Sequence, residues 1–450
     1  MTRWSASSYV LASVFVLALG ALAVVPAAEA ASGTVHGRVI DPAGGAVSSI
    51  AVELHNDITG FRSEVVTGTD GSFRFFNVPF NPYEIHVEAQ GFRPVRRTLE
   101  LRSAMSPELT IALELAAVHE SVVVEQAAGA LEADSSTSHV DIDKSYVQRA
   151  PATLASRALE ELITATPGFA KDENGRYHFQ GFHSQGMFVI DGQTISDQTG
   201  MTFSNSIDPG IAQGIEVIYG NVPAEYGEKI GTVVNLTTRS GLSSPFHGEL
   251  YGGGARFATY EGGFALGGGS RRLGAYASAN ASWSDRFLDP VNFDNLHNQG
   301  NTQRAFVRLD YASPDLSDLV RLTALLGQTH RDVPNTYSQQ AAGQDQQVHS
   351  QDQNLSLGWT HVFSSKVTIE STAFARLSRF ELLPSTNDTP VEALSERRLD
   401  NYGVNTALTW MPNAHHELKL GGVLKLFPID EHFAFGLTDP QLNDPAGTDY

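Results

Sequence analysis

The chain has 450 residues, 41% of them hydrophobic and 18% charged, which is enough apolar material for two or three folded domains and excludes wholesale disorder. Its 30 basic and 50 acidic side chains leave a formal charge of −20, which argues against a nucleic-acid partner, because a phosphate-binding face needs clustered positive charge. Cysteine is absent, so disulfides, thiolate metal sites and cysteine nucleophiles are all excluded.

At the N-terminus Arg3 precedes an apolar run from Val10 to Val25, then Pro26 and the small-residue triplet Ala28-Glu29-Ala30. That pattern predicts a secretory signal peptide over residues 1–30, cleaved after Ala30. The run is shorter than the roughly 20 residues of a spanning helix. Removing it takes Arg3 and Glu29 together and leaves the charge at −20. No later segment reads as a long apolar helix, so any passage through a membrane must use β-strands.

Between residues 33 and 115 apolar residues recur with period two, at Val35 and Val39, at Ile50, Val52 and Leu54, at Phe73 and Phe75, and at Ile85 and Val87. Turn dipeptides such as Asp70-Gly71 separate them, which predicts a small antiparallel sandwich. The stretch "TGTDGSFRFFNVPFNPYEIHVEAQGF" resembles the carboxypeptidase regulatory-like, prealbumin-like domain, with Asn81 where that family usually has glycine. The β-prone "HESVVVEQ" (119–126) and the small, polar "AAGALEADSSTSH" follow as a boundary.

From Pro151 the period becomes helical, with Leu154, Ala158, Leu159, Leu162 and Ile163 on one side of a helix ended by Pro167-Gly168. The strands "RYHFQGF", "MFVIDG", "IEVIYG" and "GTVVNLTTRSG" complete a small mixed domain closing near Gly241. In "IEVIY" the alternation puts Ile215 and Val217 on one face and Glu216 and Ile218 on the other. Past Pro245 come alternating segments of about ten residues, from "FHGELYG" to "HELKLGGVLKLF", the mark of an outer-membrane barrel. "SPDLSD" and "SSK" read as tight turns; "DPVNFDNLHNQGN" and "SQQAAGQDQQVHSQDQ" read as outward loops. Period alone also admits a water-soluble sandwich.

In this order, "FQGFHSQGMFVIDGQ", "GIEVIYGNVPAEYG", "GTVVNLTTRSG" and "FHGELYG" resemble the plug of a TonB-dependent outer-membrane receptor running into its first barrel strand. The resemblance is to the Oar-like subgroup and covers nearly the whole mature chain. It implies a mainly β fold. An N-terminal prealbumin-like β-sandwich occupies 31–116, a TonB-box-like segment and linker 117–150, a small α+β plug 151–241, and a partial antiparallel outer-membrane β-barrel 242–450. Gly192, Gly220, Gly227 and Gly231 become plug turns, and Tyr219 and Tyr226 boundary rings between core and wet lumen. The family often has arginine at the positions of Gln180 and Gly214, so the resemblance implies weakened plug-to-barrel ion pairs.

The resemblance further implies outer-membrane lipid, the energising protein TonB and an extracellular ligand of unidentified chemistry as partners, with energised uptake and no chemical step. Val122, Val123 and Val124 would contact TonB as an added strand; the bland reading makes them the sandwich's last strand or a connector. The rival function is a secreted or surface-attached carbohydrate- or peptide-binding β protein. An enzyme is not expected. Ser184 lies in "FHSQG", where Phe182 breaks the nucleophile-elbow pattern. His178 and His183 read as turn residues, adjacent His415 and His416 point to opposite strand faces, and "ALGGGS" lacks the lysine of a phosphate loop. Neither cofactor nor metal is expected. The 205 residues after Pro245 suffice for roughly 8 to 10 strands where plugged barrels use about 22, so an N-terminal portion of a receptor is expected.

Overall fold

The computed structural model describes residues 32–438 apart from 58, 60, 102–103, 116–137, 144–145, 148–157, 167, 172–176, 180–185, 196–206, 220, 224–225, 228–231 and 414–415. Seven strands come first: β1 (Gly33–Ile40), β2 (Ala51–Asn56), β3 (Phe61–Val66), β4 (Ser72–Val78), β5 (Asn81–Val87), β6 (Val95–Leu101) and β7 (Leu109–Ala112). They form two sheets, ordered β4-β1-β7 and β3-β2-β5-β6. The period-two residues Val35, Val39, Val52, Leu54, Phe73, Phe75, Ile85 and Val87 meet in one core between them. Each such fully buried side chain contributes about 1.5–3 kcal/mol by leaving water. The core's polar tip is satisfied, because the Tyr83 hydroxyl donates to the Pro79 carbonyl at 2.7 Å.

A second unit follows, made of β8 (Ser138–Asp143), α1 (Ala158–Thr164), β9 (Phe169–Lys171), β10 (Tyr177–Phe179), β11 (Gly186–Ile190), β12 (Gln193–Ile195), β13 (Ala212–Tyr219) and β14 (Thr232–Thr238). Its sheet runs β12-β11-β14-β13-β8, with β11 parallel to β14. Leu159, Leu162 and Ile163 of α1 lie in one cluster with Ile215, Val217 and Leu236 on one face of the sheet. Ile218 turns to the other face, into a second apolar cluster with Met187, Val189, Tyr226 and Val233. Both faces of the sheet are therefore covered, which explains why β14 is buried along its whole length.

The rest of the described chain is one antiparallel sheet: β15 (His247–Ala255), β16 (Thr259–Gly269), β17 (Leu273–Ser284), β18 (Gly300–Ala312), β19 (Asp318–Asp332), β20 (Gln347–Ser364), β21 (Val367–Leu383), β22 (Val391–Asn413), β23 (His416–Leu426) and β24 (Ile429–Leu437). Each strand pairs with the next up to β23; β24 continues the line of β23 along β22. Alternation is strict where it matters. On β18, Thr302, Arg304, Phe306, Arg308 and Asp310 are buried on the inner face, while Val307, Leu309 and Tyr311 are exposed on the outer one. Leu322 and Leu326, Leu355, Trp359 and Phe363, and Trp410 extend the exposed apolar face across β19, β20 and β22. An inside that is largely polar and an outside that is apolar invert the pattern of a water-soluble sheet. No described helix is long and apolar enough to cross a membrane.

Short turns at 270–272, 313–317 and 365–366 close one end of this wall. Long connections leave the other end, including 333–346, which carries α2 (Tyr337–Ala342). The segment "SQQAAGQDQQVHSQDQ", expected to be an outward loop, splits into α2 and the first turn-distal residues of β20, which begins at Gln347. The polar strand end keeps its ladder to β19 from Asp332↔Gln347 onward. Backbone pairing, not apolar alternation, sustains it there.

The second unit hands over to the wall at Gly241, where space is lacking: a β-carbon would collide with the backbone carbonyls of Ala275 and Gly268. Gly241→Ala should therefore force the first hairpins of the wall to shift and destabilise the protein by about 1–3 kcal/mol, read as a lowered urea midpoint at constant slope. An unchanged midpoint would show that the handover is looser than this packing.

Candidate functional site: a buried junction between inner unit and wall

The hairpin β11–β12 turns at Asp191 and Gly192, with φ of 47° and 83°. Two consecutive left-handed residues make the tight primed turn that Asp-Gly favours. The turn places the Asp191 carboxylate inward rather than at the surface, at 2% exposure. There it accepts from the Thr238 amide at 2.9 Å and the Thr238 hydroxyl at 2.6 Å, which ties the turn to β14.

Two arginines of the wall close on the same carboxylate. Arg308 of β18 is fully buried; its Nη1 lies 3.5 Å from Asp191 Oδ1 and donates to the Thr238 carbonyl at 3.0 Å. Its Nε and Nη2 engage Asp310, two residues on along the same face, at 2.9–3.1 Å. Asp310 also accepts from the Ser240 hydroxyl at 2.5 Å. Arg321 of β19 donates to the Asp191 carbonyl at 2.5 Å, and its Nε lies 3.9 Å from Asp191 Oδ2. Two carboxylates thus meet two guanidinium groups, so the buried charge is balanced. Burial alone would push the Asp191 carboxyl up, but Arg321, Arg308 and the two Thr238 donors hold it below the usual carboxylate range.

Neighbouring strands add neutral links. Gln193 and Asn354 of β20 exchange amide hydrogen bonds at 2.8 and 2.9 Å, and Asn405 of β22 donates to the Gly192 carbonyl at 2.8 Å. Arg376 and Asp352 form a further buried pair at 2.7 Å on β21 and β20. Beside them, Arg239 lies over the Tyr276 ring at 5.0 Å, and Tyr276, Phe306 and Leu325 of the wall join the apolar core of the inner unit. Chemically the arrangement is a lock. It offers a reacting molecule no room, and its bonds must be exchanged for water if the hairpin is to leave.

Of the two positions expected to lack an arginine, Gln180 lies outside the described residues and Gly214 packs near Pro79; the ion pairs seen between the inner unit and the wall run elsewhere, with the carboxylate on the inner unit and the arginines on the wall. Sequence reading missed Arg308, Asp310 and Arg321. The available signal was charge on the inner parity of an alternating strand, in "QRAFVRLDYA". Of the expected turn glycines, Gly192 sits at this junction, and Gly227 lies exposed in a turn after buried Tyr226. Gly220, Gly231, Val122, Val123 and Val124 lie outside the described residues, as do Ser184, His183 and His415. His416 is exposed at the start of β23.

Comparison with known proteins matches residues 34–114 to the carboxypeptidase regulatory-like domain and residues 132–233 to the TonB-dependent receptor plug domain. The TonB-dependent transporter Oar of Myxococcus xanthus is 26% identical over 234 residues, covering 50% of this chain and 22% of that protein. Among solved structures, the siderophore receptor PirA of Acinetobacter baumannii aligns with a TM-score of 0.53 at 15% identity, over 69% of this chain and 50% of that one. The ferric enterobactin receptor PfeA of Pseudomonas aeruginosa aligns at 0.52 and 15% identity, over 65% and 49%. The chain spans less than a quarter of the curated relative and about half of these receptors. The chain thus carries a carboxypeptidase regulatory-like domain and a TonB-dependent receptor plug domain, is similar in sequence to a TonB-dependent transporter, and has a wall whose fold is similar to that of solved receptors.

Proposed function

We propose that the chain acts in the outer membrane as a TonB-dependent receptor for energised uptake of a ligand, with the plug held to the wall through Asp191 until TonB pulls. The observation that carries this reading is the buried four-charge junction between a plug hairpin and the polar face of a sheet whose other face is apolar. Homologous receptors are outer-membrane proteins, and an apolar outer face suits lipid. Transport of this kind involves no covalent step. Export follows from the signal peptide over 1–30, and contact with TonB from strand addition at Val122, Val123 and Val124, with Gly220, Gly227 and Gly231 as further plug turns.

Strand addition depends on main-chain donors, so Val123→Pro should abolish capture of the chain by the periplasmic domain of TonB, while Val123→Ala should leave capture nearly unchanged. Capture is read by pull-down of detergent-solubilised protein. No capture of the unaltered protein would overturn the reading, and full capture of the proline variant would move the contact out of residues 122–124.

A further inference from the structure

The long-connection end of the wall holds a cluster that the plug junction does not use. His297, in the connection between β17 and β18, points its Nε2 at Asp345 Oδ1, 2.8 Å away, and at Asp332 Oδ2, 3.9 Å away. All three ligand-type atoms lie within 4.8 Å of one another. The other ring nitrogen, Nδ1, lies 2.9 Å from the Val333 carbonyl. A proton held at Nδ1 by that carbonyl leaves Nε2, which faces the two carboxylates, as the nitrogen that can bind a metal. His297 and Asp332 are mostly buried, whereas Asp345 is on the rim, which leaves one side open.

We propose that His297, Asp332 and Asp345 form a divalent transition-metal site, of zinc type, that clips the connection after β17 to the end of β19 and the segment leading into β20. Tetrahedral zinc with bonds of about 2.0–2.1 Å sets its ligand atoms about 3.4 Å apart. The observed separations of 2.8 and 3.9 Å bracket that spacing, so small side-chain rotations suffice. One imidazole with two carboxylates favours zinc and its first-row neighbours over magnesium or calcium, which take oxygen ligands. The fourth position faces the open side. There a water, or a group from an arriving ligand, would complete the coordination.

The test is zinc titration of the chelator-stripped full chain in detergent at mildly alkaline pH, followed by calorimetry. One equivalent should bind, and Asp345→Asn and His297→Gln should each weaken binding at least tenfold. Asp345 is exposed, so its substitution should leave the melting curve unaltered and separate loss of a ligand from loss of fold. His349→Ala, at the separate His330 and His349 ring pair, should bind zinc as the unaltered protein does. Absence of a stoichiometric site, or equal affinity in Asp345→Asn, would overturn the proposal and leave a histidine-to-carboxylate ion pair.

Discussion

Asp191→Gly should destabilise this protein by about 3–5 kcal/mol, the cost of stranding a buried charge by removing its partner. Glycine is the chosen replacement because position 191 has a φ of 47°, and alanine would add backbone strain to the loss of the carboxylate. Without Asp191, Arg308 still has Asp310, whereas Arg321 loses its closest carboxylate and keeps the peptide carbonyl of residue 191 and the more distant charges of Asp310 and Glu370. The junction then holds Asp310 against two buried guanidinium groups, with Glu370 the further acidic group near Arg321. Asp191→Asn keeps an acceptor for the Thr238 amide and tolerates the left-handed backbone, so its loss should be smaller. Urea unfolding followed by tryptophan fluorescence measures all three proteins. A glycine variant within 1 kcal/mol of the unaltered protein, roughly the worth of an exposed pair, would mean that the junction does not hold the plug. Arg321→Met combined with Asp191→Gly should recover part of the loss, because the double variant no longer buries the cation that has lost its closest carboxylate.

The sandwich and the wall were legible because each buries a face, and burial on one face writes itself as period two in "GTVHGRVID" or "QRAFVRLDYAS". The same reasoning fails at the far ends of β20 and β22. Residues 347–353 and 391–398 extend the ladders but carry "QVHSQDQ" and "VEALSERR", with little alternation to read. Their pairing is inherited from the apolar part of the same strand. β24 shows the converse: Phe433 and Phe435 alternate, yet both are exposed, and only the register to β22 reveals the strand. The plug junction was half legible. Asp191-Gly192 reads locally as a tight turn, but its role depends on Arg308 and Arg321, more than a hundred residues away and on two different strands. Nothing local distinguishes an arginine that faces a carboxylate from one that faces water.

Acid should weaken the sandwich through His36. The residue lies on β1 opposite Arg74, on the face turned away from the sandwich core, with both ring nitrogens buried and the Ser365 backbone of the wall beside the ring. Arg74 itself reaches across to the Leu316 carbonyl, in the turn between β18 and β19. Burial first, and the positive charge of Arg74 second, lower the His36 pKa from 6.5 to about 4. Its folded pKa lies below its unfolded value, so the unfolded chain takes up the proton first as pH falls. Stability from the neutral ring is complete above about pH 6.5, declines down to about pH 4, and is lost below. At 1.36 kcal/mol per pKa unit the total is about 3 kcal/mol. His36→Gln carries no titrating ring. The difference in unfolding free energy between the two proteins should therefore slope across that window and flatten on either side, while carboxylate titration common to both cancels. Parallel curves would show that the ring reaches water. A slope of the expected sign would place the histidine in a site that excludes water and lies beside the Arg74 cation. The sandwich would then be packed against the short-turn end of the wall, where Arg271 also donates to the Val66 carbonyl at 2.6 Å, in a contact that acid can open.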